Sequence, residues 1–349
     1  MSAATRRYSL FEPNKIGELS PAAKFALYTF LAAWSLFVLF PIYWLLITSF
    51  KTPTAVNNGP FFIPWVDFQP SLHAWRDLFV LDFEDTFRAY TNSIIIAVSS
   101  TALSVLVGSM AAYSLSRIEF APNLITILYF VALLIGSCVA IGVFDADLWL
   151  TLAVAVALFF LLARAVGKLY TVRLKNGDVL FWIISQRILA PIVVVVPIYM
   201  MFQSVRLLDT HIALILTYAV VNMPIVVWLM YDFFSSIPRD LEESAQIDGA
   251  TMIMTFREIV LPLSRAGLSA TTLLVMIFAW NEYLLALFIS TSRAQTLPIL
   301  VAAMNAGERG ILWWTMSVAI IVMIIPVVVL AVVLQKYITK GLLVGAVKG

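Results

Sequence analysis

The sequence contains few charged residues. Of its 349 residues only 12% are Asp, Glu, Lys or Arg, whereas 62% are hydrophobic, and the mean hydropathy is +0.97. Water-soluble domains carry roughly 25% charged residues, so a chain of this composition cannot hide its apolar surface from water in a soluble core. We therefore expect the lipid bilayer to surround most of it. The net charge of +2 gives no indication of a nucleic-acid partner.

Residues that support catalysis or bind metals are also scarce. The single cysteine, Cys138, lies in an apolar run and excludes an internal disulfide and a cysteine-based metal cluster. The two histidines, His73 and His211, are far apart in sequence, so we expect no metal site. The nucleotide-binding pattern G-x-x-x-x-G-K-[S/T] is absent, and Gly167–Lys168 lacks the upstream glycine and the hydroxyl residue. We expect a chain that is not an enzyme, with no catalytic residue and no cofactor of its own.

Long apolar segments occupy most of the chain. A helix that crosses a bilayer needs about 20 mostly apolar residues. The segments that meet this criterion are 25–50, 92–116, 124–143, 148–166, 179–203, 212–234, 268–289 and 313–335. The sequence therefore predicts an all-α, polytopic transmembrane helical bundle of about eight spans.

The basic residues predict how this bundle is oriented. Cytoplasmic loops carry an excess of Lys and Arg. With the N-terminus inside, the inner segments hold fifteen such residues and the outer segments six. We therefore expect cytoplasmic N- and C-termini, with a tail at 1–24 and a transmembrane domain at 25–349.

One polar segment, PRDLEESAQIDGATMIMTFREIVLPL at residues 238–263, lies between two of the spans. Pro238 and Asp240 suit the first turn of a helix, where a missing N–H costs nothing and negative charge meets the helix dipole. Gly249 interrupts the helical pattern, and Pro262 closes the second part. We call residues 238–263 the coupling element, and we expect a helix–Gly–helix unit on the cytoplasmic side.

The coupling element resembles the EAA signature of permease subunits of ATP-binding cassette importers. The matching residues are Glu243, Ala245, Asp248, Gly249, Ala250, Ile259, Leu261 and Pro262. Ser244 stands in place of an alanine of the family pattern, which exchanges one small residue for another. The blocks FAWNEYLLAL (278–287) and QKYITKGLLVGAVKG (335–349) are similar to the carbohydrate-type branch of this family. The resemblance extends over about 25–120 and 178–349.

This resemblance implies a membrane subunit of an importer for a sugar or sugar alcohol in a bacterial-type cytoplasmic membrane. A dimer of separate ATPase subunits would use ATP and Mg, and it would bind this chain at the coupling element. A second permease chain, usually a different one, would supply the other half of the pathway. An extracytoplasmic substrate-binding protein would deliver the substrate.

We expect the first helix of the coupling element, at 239–248, to dock on the ATPase. Its acidic residues Glu242, Glu243 and Asp248 would lie on an exposed polar side and pair with basic groups of a cleft. Leu241, Ala245 and Ile247 would face inward. The predicted coupling residues are Glu242, Glu243, Ser244, Ala245, Asp248, Gly249, Ala250 and Pro262. The alternative is a solvated amphipathic linker on the membrane surface.

Polar and aromatic residues within the spans are the candidates for a substrate pathway. Polar groups are costly in a bilayer and therefore indicate function, whereas their alternative is to be satisfied within the bundle. Sugars are held by aromatic stacking and by amide and hydroxyl hydrogen bonds. The candidates are Tyr199, Tyr218, Asn222, Trp280, Asn281, Glu282 and Tyr283. Arg187 is a further intramembrane charge.

Two further segments have open interpretations. The insertion at 121–177 adds two apolar segments, which form either a peripheral hairpin or a contact for a partner subunit. The exterior loop at 51–91 is rich in Pro and aromatic residues, and Trp65 and Trp75 suit an interfacial shelf. That loop, or the loop at 290–312, is alternatively a docking face for the substrate-binding protein.

Two other functions compete with the importer. A secondary transporter driven by an ion gradient needs an intramembrane acid, for which Glu282 is the only candidate, and two repeats, which the sequence does not show convincingly. A membrane enzyme ranks last, because the sequence shows no catalytic constellation. Only the family resemblance indicates a carbohydrate-like substrate, and the residues themselves do not identify which one.

Overall fold

A computed structural model describes residues 19–119, 123–166, 173–305 and 311–346, without the side chains of 164 and 336–346. Residues 1–18 of the predicted tail at 1–24 therefore lie outside the described residues. So do residues 121–122 and 167–172 of the insertion at 121–177, and residues 347–349 of the block at 335–349. The regular structure of the described part is helical. Its longer helices are α1 (Pro21–Thr48), α4 (Phe83–Arg117), α5 (Leu124–Phe144), α6 (Leu148–Val166), α7 (Asn176–Ser185), α8 (Pro191–Ser204), α9 (His211–Ser235), α13 (Arg265–Trp280) and α16 (Trp313–Ala346).

Short helices connect these long ones. They are α2 (Pro53–Asn57), α3 (His73–Arg76), α10 (Asp240–Ile247), α11 (Met252–Thr255), α12 (Leu261–Leu263), α14 (Leu284–Ile289) and α15 (Leu297–Asn305). Wider π-type turns follow α3 at Asp77–Leu81 and α11 at Phe256–Val260, and a 3₁₀ turn at Gln186–Ile188 follows α7.

Among the described residues, five helices are long and apolar enough to cross a membrane, namely α1, α4, α5, α9 and α16. Two bent pairs raise the count to seven if each pair crosses as one span: Asn176–Ile188 with Pro191–Ser204, at 88°, and Met252–Leu263 with Arg265–Trp280, at 82°. The apolar part of α6, Leu148–Ala163, is shorter. A polytopic helical membrane protein is confirmed, whereas the prediction of eight regular spans is not.

The predicted span 179–203 is a bent pair of helices in the structure. Pro191 opens α8 and cannot donate a backbone hydrogen bond to the preceding turn. Ala190, which precedes it, is extended with ψ 130°, because the proline ring disfavours helical geometry at that position. The predicted span 268–289 is also interrupted, since α13 ends at Trp280 and α14 starts at Leu284. Both interruptions fall within apolar sequence.

Contacts divide the described chain into two compact units. The first contains residues 19–88, 299–305 and 311–326. In it, α1 begins at the N-cap Ser20, whose Oγ accepts from the N–H of Ala23 at 3.3 Å, and its apolar surface is mostly exposed, as lipid contact requires.

The segment predicted as the exterior loop 51–91 is partly helical, because α4 already begins at Phe83. Trp65 is 74% exposed, as an interfacial residue would be. Trp75 instead stacks on Phe50 and packs on a small core around Ala74. This loop is a folded structure, which shares a small core with α15 and α16.

The second unit contains residues 89–119, 123–166, 173–298 and 327–346. Its core lies where α4, α9, α13 and the coupling element meet, and glycines allow this close approach. A Cβ added at Gly267 of α13 would lie 2.3 Å from the ring of Phe233, and one at Gly108 of α4 would lie 2.8 Å from Val226. The core residues are Ala112, Tyr113, Leu115, Val226, Val227, Met230, Phe234, Val260 and Val275.

The insertion forms a helical hairpin within this unit. Helices α5 and α6 pack on each other, and the Tyr129 hydroxyl donates to the carbonyl oxygen of Leu158 at 3.1 Å. A bridge between Asn123 and Arg173 brings the two ends of the hairpin together. The insertion therefore begins and ends at one place.

Candidate functional site

The coupling element has the predicted helix–Gly–helix form. Helix α10 ends in a Schellman turn, in which the N–H of Gly249 donates to Gln246 and the N–H of Ala250 donates to Ala245. Gly249 occupies the left-handed position of this turn with φ +89°. Such a value strains any residue that carries a Cβ. The glycine thus fixes the direction in which the chain leaves α10.

The second half of the element starts at Thr251, whose side chain accepts from the N–H of Met254 at 3.3 Å. It continues through α11, the π turn and α12, and it ends at Ser264. Pro262 is the second residue of α12, one residue before the end of that helix, which agrees with the prediction that it closes the segment.

The predicted facing of α10 is wrong for Glu242, Leu241 and Ile247, whereas Glu243 and Asp248 are exposed as predicted. Glu242 is only 4% exposed, whereas Leu241 is 47% and Ile247 is 86% exposed. The reason is a set of polar partners beneath the helix, which satisfies a buried carboxylate. Glu242 therefore cannot act as one of the surface acids that touch an ATPase. Its contacts are with the same chain.

These contacts form an anchor network, which we define as Tyr113, Arg117 and Glu242. The Tyr113 hydroxyl donates to Glu242 Oε2 at 2.7 Å. The guanidinium of Arg117 binds Glu242 Oε1 through Nε and through Nη2, both at 2.6 Å. Both oxygens of the carboxylate are used, and both side chains of the ion pair are at most 9% exposed.

Further contacts tie the network to α9. Arg117 Nη2 also donates to the carbonyl oxygens of Phe234, at 2.9 Å, and Ile237, at 3.2 Å. Free carbonyls at a helix C-terminus carry partial negative charge, so a cation is favourable there. The rings of Tyr113 and Phe256 lie 4.8 Å apart, and both also contact Phe234 edge to face. The inner side of the coupling element is thus firmly attached.

The outer side of the element is open. Glu243, Ser244, Asp248 and Gly249 are exposed, and Ala245 and Ala250 are half-buried. The Ser244 hydroxyl donates to the carbonyl oxygen of Asp240 in its own helix, so it presents little polarity outward. The exposed surface combines carboxylates with small residues and with the apolar side chains of Ile247 and Ile253. Such a surface can enter a basic cleft on another protein.

The candidate pathway residues fall into two groups. The first is buried among the helices: Tyr218 donates to the carbonyl oxygen of Glu282 at 3.3 Å, and Trp280 meets the ring of Tyr90 edge to face. Asn222 accepts from Arg187 at 3.2 Å. The contacts that the structure shows for this group are with the bundle itself.

The second group is more accessible. Asn281 and Tyr283 are exposed, and Tyr199 and Glu282 are half-buried. Residues 281–283 form the break between α13 and α14, where Glu282 Oε1 accepts from the N–H of Leu285. Irregular backbone within an apolar segment leaves hydrogen-bonding groups that need partners. The residues at this break are therefore better placed for contact with a polar solute than the buried residues of the first group.

Arg187 is held mainly by α9. Its Nη1 donates to the carbonyl oxygen of Val221 at 2.9 Å, and its guanidinium lies 5.0 Å from the ring centre of Phe278. It borders an open apolar cavity of about 370 Å³ that includes Trp228 and Phe181. A guanidinium engaged in this way explains how the charge is tolerated at this depth.

A second polar cluster, which the sequence did not reveal, lies at the start of α9. Asp209 accepts from the consecutive backbone N–H groups of residues 291–294 at 3.0–3.2 Å. Burial raises the pKa of the Asp209 carboxyl, but these hydrogen bonds outweigh burial and hold the pKa well below its usual range. Asn92 donates to the carbonyl oxygens of Arg293 and Gln295 and accepts from His211 at 2.7 Å. We call Asn92, Asp209 and His211 the loop clamp.

Both clusters were missed because their members are remote in sequence. Arg117 and Glu242 are 125 residues apart, and Asp209 and Arg293 are 84 apart. The one available signal was position, since Arg117 ends an apolar span and Asp209 precedes one. A charge at such a boundary is usually solvated, so its partner cannot be inferred from local pattern.

Comparison with known proteins gives a consistent result. The family model described as "Binding-protein-dependent transport system inner membrane component" matches residues 104–344. The sulfoquinovosyl glycerol transport system permease protein SmoH of Agrobacterium fabrum is 32% identical over 92% of this chain and 93% of its own length. The trehalose/maltose transport system permease protein MalG of Thermococcus litoralis is 31% identical over 89% of this chain and 92% of its own.

A solved structure shares the fold. It is that of a bacterial ABC transporter involved in the import of the acidic polysaccharide alginate, with a TM-score of 0.60. The match covers 91% of this chain and 96% of the other at 20% identity. The matched family region includes the coupling element, the anchor network and, from the loop clamp, Asp209 and His211.

Proposed function

Because the chain belongs to the family of binding-protein-dependent transport system inner membrane components, we propose that it is the permease subunit of an ATP-driven importer in a bacterial-type cytoplasmic membrane. It forms half of the translocation pathway and binds a separate ATPase dimer, which uses ATP and Mg. A second permease chain completes the pathway, and an extracytoplasmic substrate-binding protein delivers the substrate.

The observation that carries this proposal is the two-sided coupling element. Its outer side exposes Glu243 and Asp248 beside small residues, and its inner side is bonded to α4 and α9. A surface linker needs no buried ion pair beneath it, and such a pair is stable only with good geometry and full hydrogen bonding. The element suits a rigid projection that receives force from another protein.

The substrate class follows from the relatives. Those named above transport sulfoquinovosyl glycerol and trehalose or maltose, and the trehalose transport system permease protein SugB of Mycobacterium tuberculosis is 30% identical over 90% of this chain. We assign a sugar or sugar alcohol to this chain on that basis. Asn281, Glu282, Tyr283 and Tyr199 are the residues that we place at the pathway, because they are the accessible candidates.

Two groups of contacts support the alternating order of the spans, on which the proposed orientation with both termini inside rests. Arg117, Arg239 and Asn176 belong to segments predicted to be cytoplasmic, and their side chains meet at the end of α4. His211 belongs to a segment predicted to be outside, Asn92 is the outer end of the predicted span 92–116, and the two meet in the loop clamp. Alternate crossing of α4, α7–α8, α9 and α13 accounts for both groups.

Purification in mild detergent tests the proposal. We expect the tagged chain to bring along a nucleotide-binding ATPase and a second multispan chain, and Gly249→Asp to abolish capture of the ATPase. Gly59→Asp is the matched control, because Gly59 also has a positive φ of +153° but lies in the exterior loop. A chain that emerges alone and moves solute in ATP-free vesicles would refute the proposal and favour a secondary transporter.

A further inference from the structure

The coupling element is joined along the backbone only to α9, which precedes it, and to α13, which follows it. A movement of α10 would therefore reach these two helices through covalent bonds. Helix α4 ends at Arg117, more than 120 residues earlier, and depends on side-chain contacts to sense the same movement. The anchor network provides the direct contacts of α4 with α10, whereas Ser104 and Asn92 join α4 to α9 at other levels.

The anchor network is built to keep α4 and α10 together. Charge-assisted hydrogen bonds occupy both oxygens of Glu242, and Arg239, just before α10, adds a bond to the carbonyl oxygen of Ser116 at 3.3 Å. Separating a buried ion pair leaves two desolvated charges without partners, which is strongly unfavourable. The two elements therefore resist relative displacement.

A second connection continues from the same turn of α4. The side-chain amide of Asn176, the first residue of α7, donates to the carbonyl oxygens of Leu115 at 2.6 Å and Ile118 at 2.7 Å. Helix α7 leads into the 88° break at residues 189–190. The end of α4 is thus a junction between the coupling element and the first broken helix pair.

We propose that the buried ion pair between Arg117 and Glu242 transmits the movement of the coupling element to α4 and through it to α7. Arg117 is then a positioning residue for transport, acting on the pathway through the helices that it joins. This inference rests on the proposed function, and it adds α4 and α7 to the helices that are driven by ATP hydrolysis.

Glu242→Gln in the assembled complex tests the inference, with uptake and ATP hydrolysis measured together in proteoliposomes. We expect the ATPase to remain bound and hydrolysis to continue, while the solute moved per ATP falls about tenfold or more. The reason is that breaking a buried ion pair costs more free energy than a tenfold change in an equilibrium constant requires. The matched control is Glu258→Gln, an exposed carboxylate in the same element. An unchanged ratio of uptake to hydrolysis in Glu242→Gln would overturn the inference.

Tyr113→Phe provides a milder test if Glu242→Gln fails to assemble. It removes one hydrogen bond and keeps the ion pair, so we expect the ratio to fall about twofold to tenfold. A complex that assembles normally with a wild-type ratio would contradict the inference. Failure of the proposed function differs from both outcomes, because then no ATPase is captured by the wild-type chain.

A covalent replacement distinguishes transmission from simple folding. Arg117→Cys and Glu242→Cys are combined with Cys138→Ser, which removes the exposed native thiol. We expect the unlinked variant to hydrolyse ATP without uptake, and a short thiol-reactive linker between the two cysteines to restore the ratio. A ratio that linking lowers or leaves unchanged would show that α4 and α10 do not move as one body.

Discussion

A side chain with a Cβ at position 249 tests whether docking depends on the backbone of the Schellman turn. Gly249 has φ +89°, and an added Cβ would meet no atom of the described residues within 4 Å. The cost of substitution therefore comes from backbone strain, about 1–2 kcal/mol for an L-residue in a left-handed conformation. A β-branched residue costs more, and asparagine tolerates such angles best.

This strain adds to the free energy of docking if the partner binds only the turn that glycine permits. A difference of 1–2 kcal/mol corresponds to about a five- to thirtyfold change in an equilibrium constant. We expect Gly249→Ala to raise the Kd for the purified ATPase by this factor, Gly249→Asn by less and Gly249→Val by more. Titration of labelled ATPase against the permease pair in nanodiscs measures the series.

The order of the series is what tests the reasoning. If Ala, Asn and Val raise the Kd equally, contact with the partner rather than backbone strain decides docking at this position. If Ala leaves the Kd unchanged while Asp abolishes binding, the turn tolerates a Cβ and the surface charge is decisive. Either result would refute the argument from φ.

Two further predictions concern the second unit. Gly267→Ala places a Cβ 2.3 Å from the ring of Phe233, so we expect a loss of about 1–3 kcal/mol in unfolding free energy, seen as a lower Tm, whereas Gly136→Ala, with open space, leaves the Tm unchanged. An equal Tm for both would contradict the packing. Asp209→Asn removes the charged acceptor of the loop clamp and lowers the Tm. Because the folded pKa of Asp209 is depressed, its contribution is complete above the unfolded value of 3.8 and is lost only as pH falls toward the folded pKa. We therefore expect the difference in Tm between wild type and Asp209→Asn to be constant from about pH 5 to 8. A difference that disappears within that range would contradict the depressed pKa of Asp209 in the folded protein.

The sequence predicted the coupling element well because its signals are local. Its 26 residues contain a proline and an acidic residue at the start of a helix, a glycine after that helix and a second proline near the end. The prediction of which side of α10 faces inward was wrong, because the apolar pattern alone places Leu241 and Ile247 inward. Only knowledge of Tyr113 and Arg117 beneath the helix predicts that Glu242 is the buried residue.

The spans show the same division between local and remote information. Composition correctly predicts apolar helices, since a bilayer requires every backbone group to be bonded within its own segment. The break at residues 189–190 has a local cause in Pro191, whereas the 88° angle depends on what the two halves contact. The break at 281–283 has no proline, and Glu282 instead caps α14 from within an apolar block.

Helices α4 and α9 are joined at both ends and along their length. The anchor network joins them at one end through the carbonyl oxygen of Phe234, and Asn92 with His211 joins them at the other. Between these ends the Ser104 hydroxyl donates to the carbonyl oxygen of Ala219 at 3.0 Å. A pair of helices fixed at three levels resists bending and sliding.

Movement within this unit must therefore occur where helical hydrogen bonds are already interrupted. The breaks at 189–190, at Ser264 and at 281–283 meet that condition, because bending there disrupts no intact helical turn. The break at 281–283 contains the accessible candidates Asn281 and Tyr283. A force received at the coupling element would pass along the rigid pair of α4 and α9 and change the chain at the residues best placed to contact a solute.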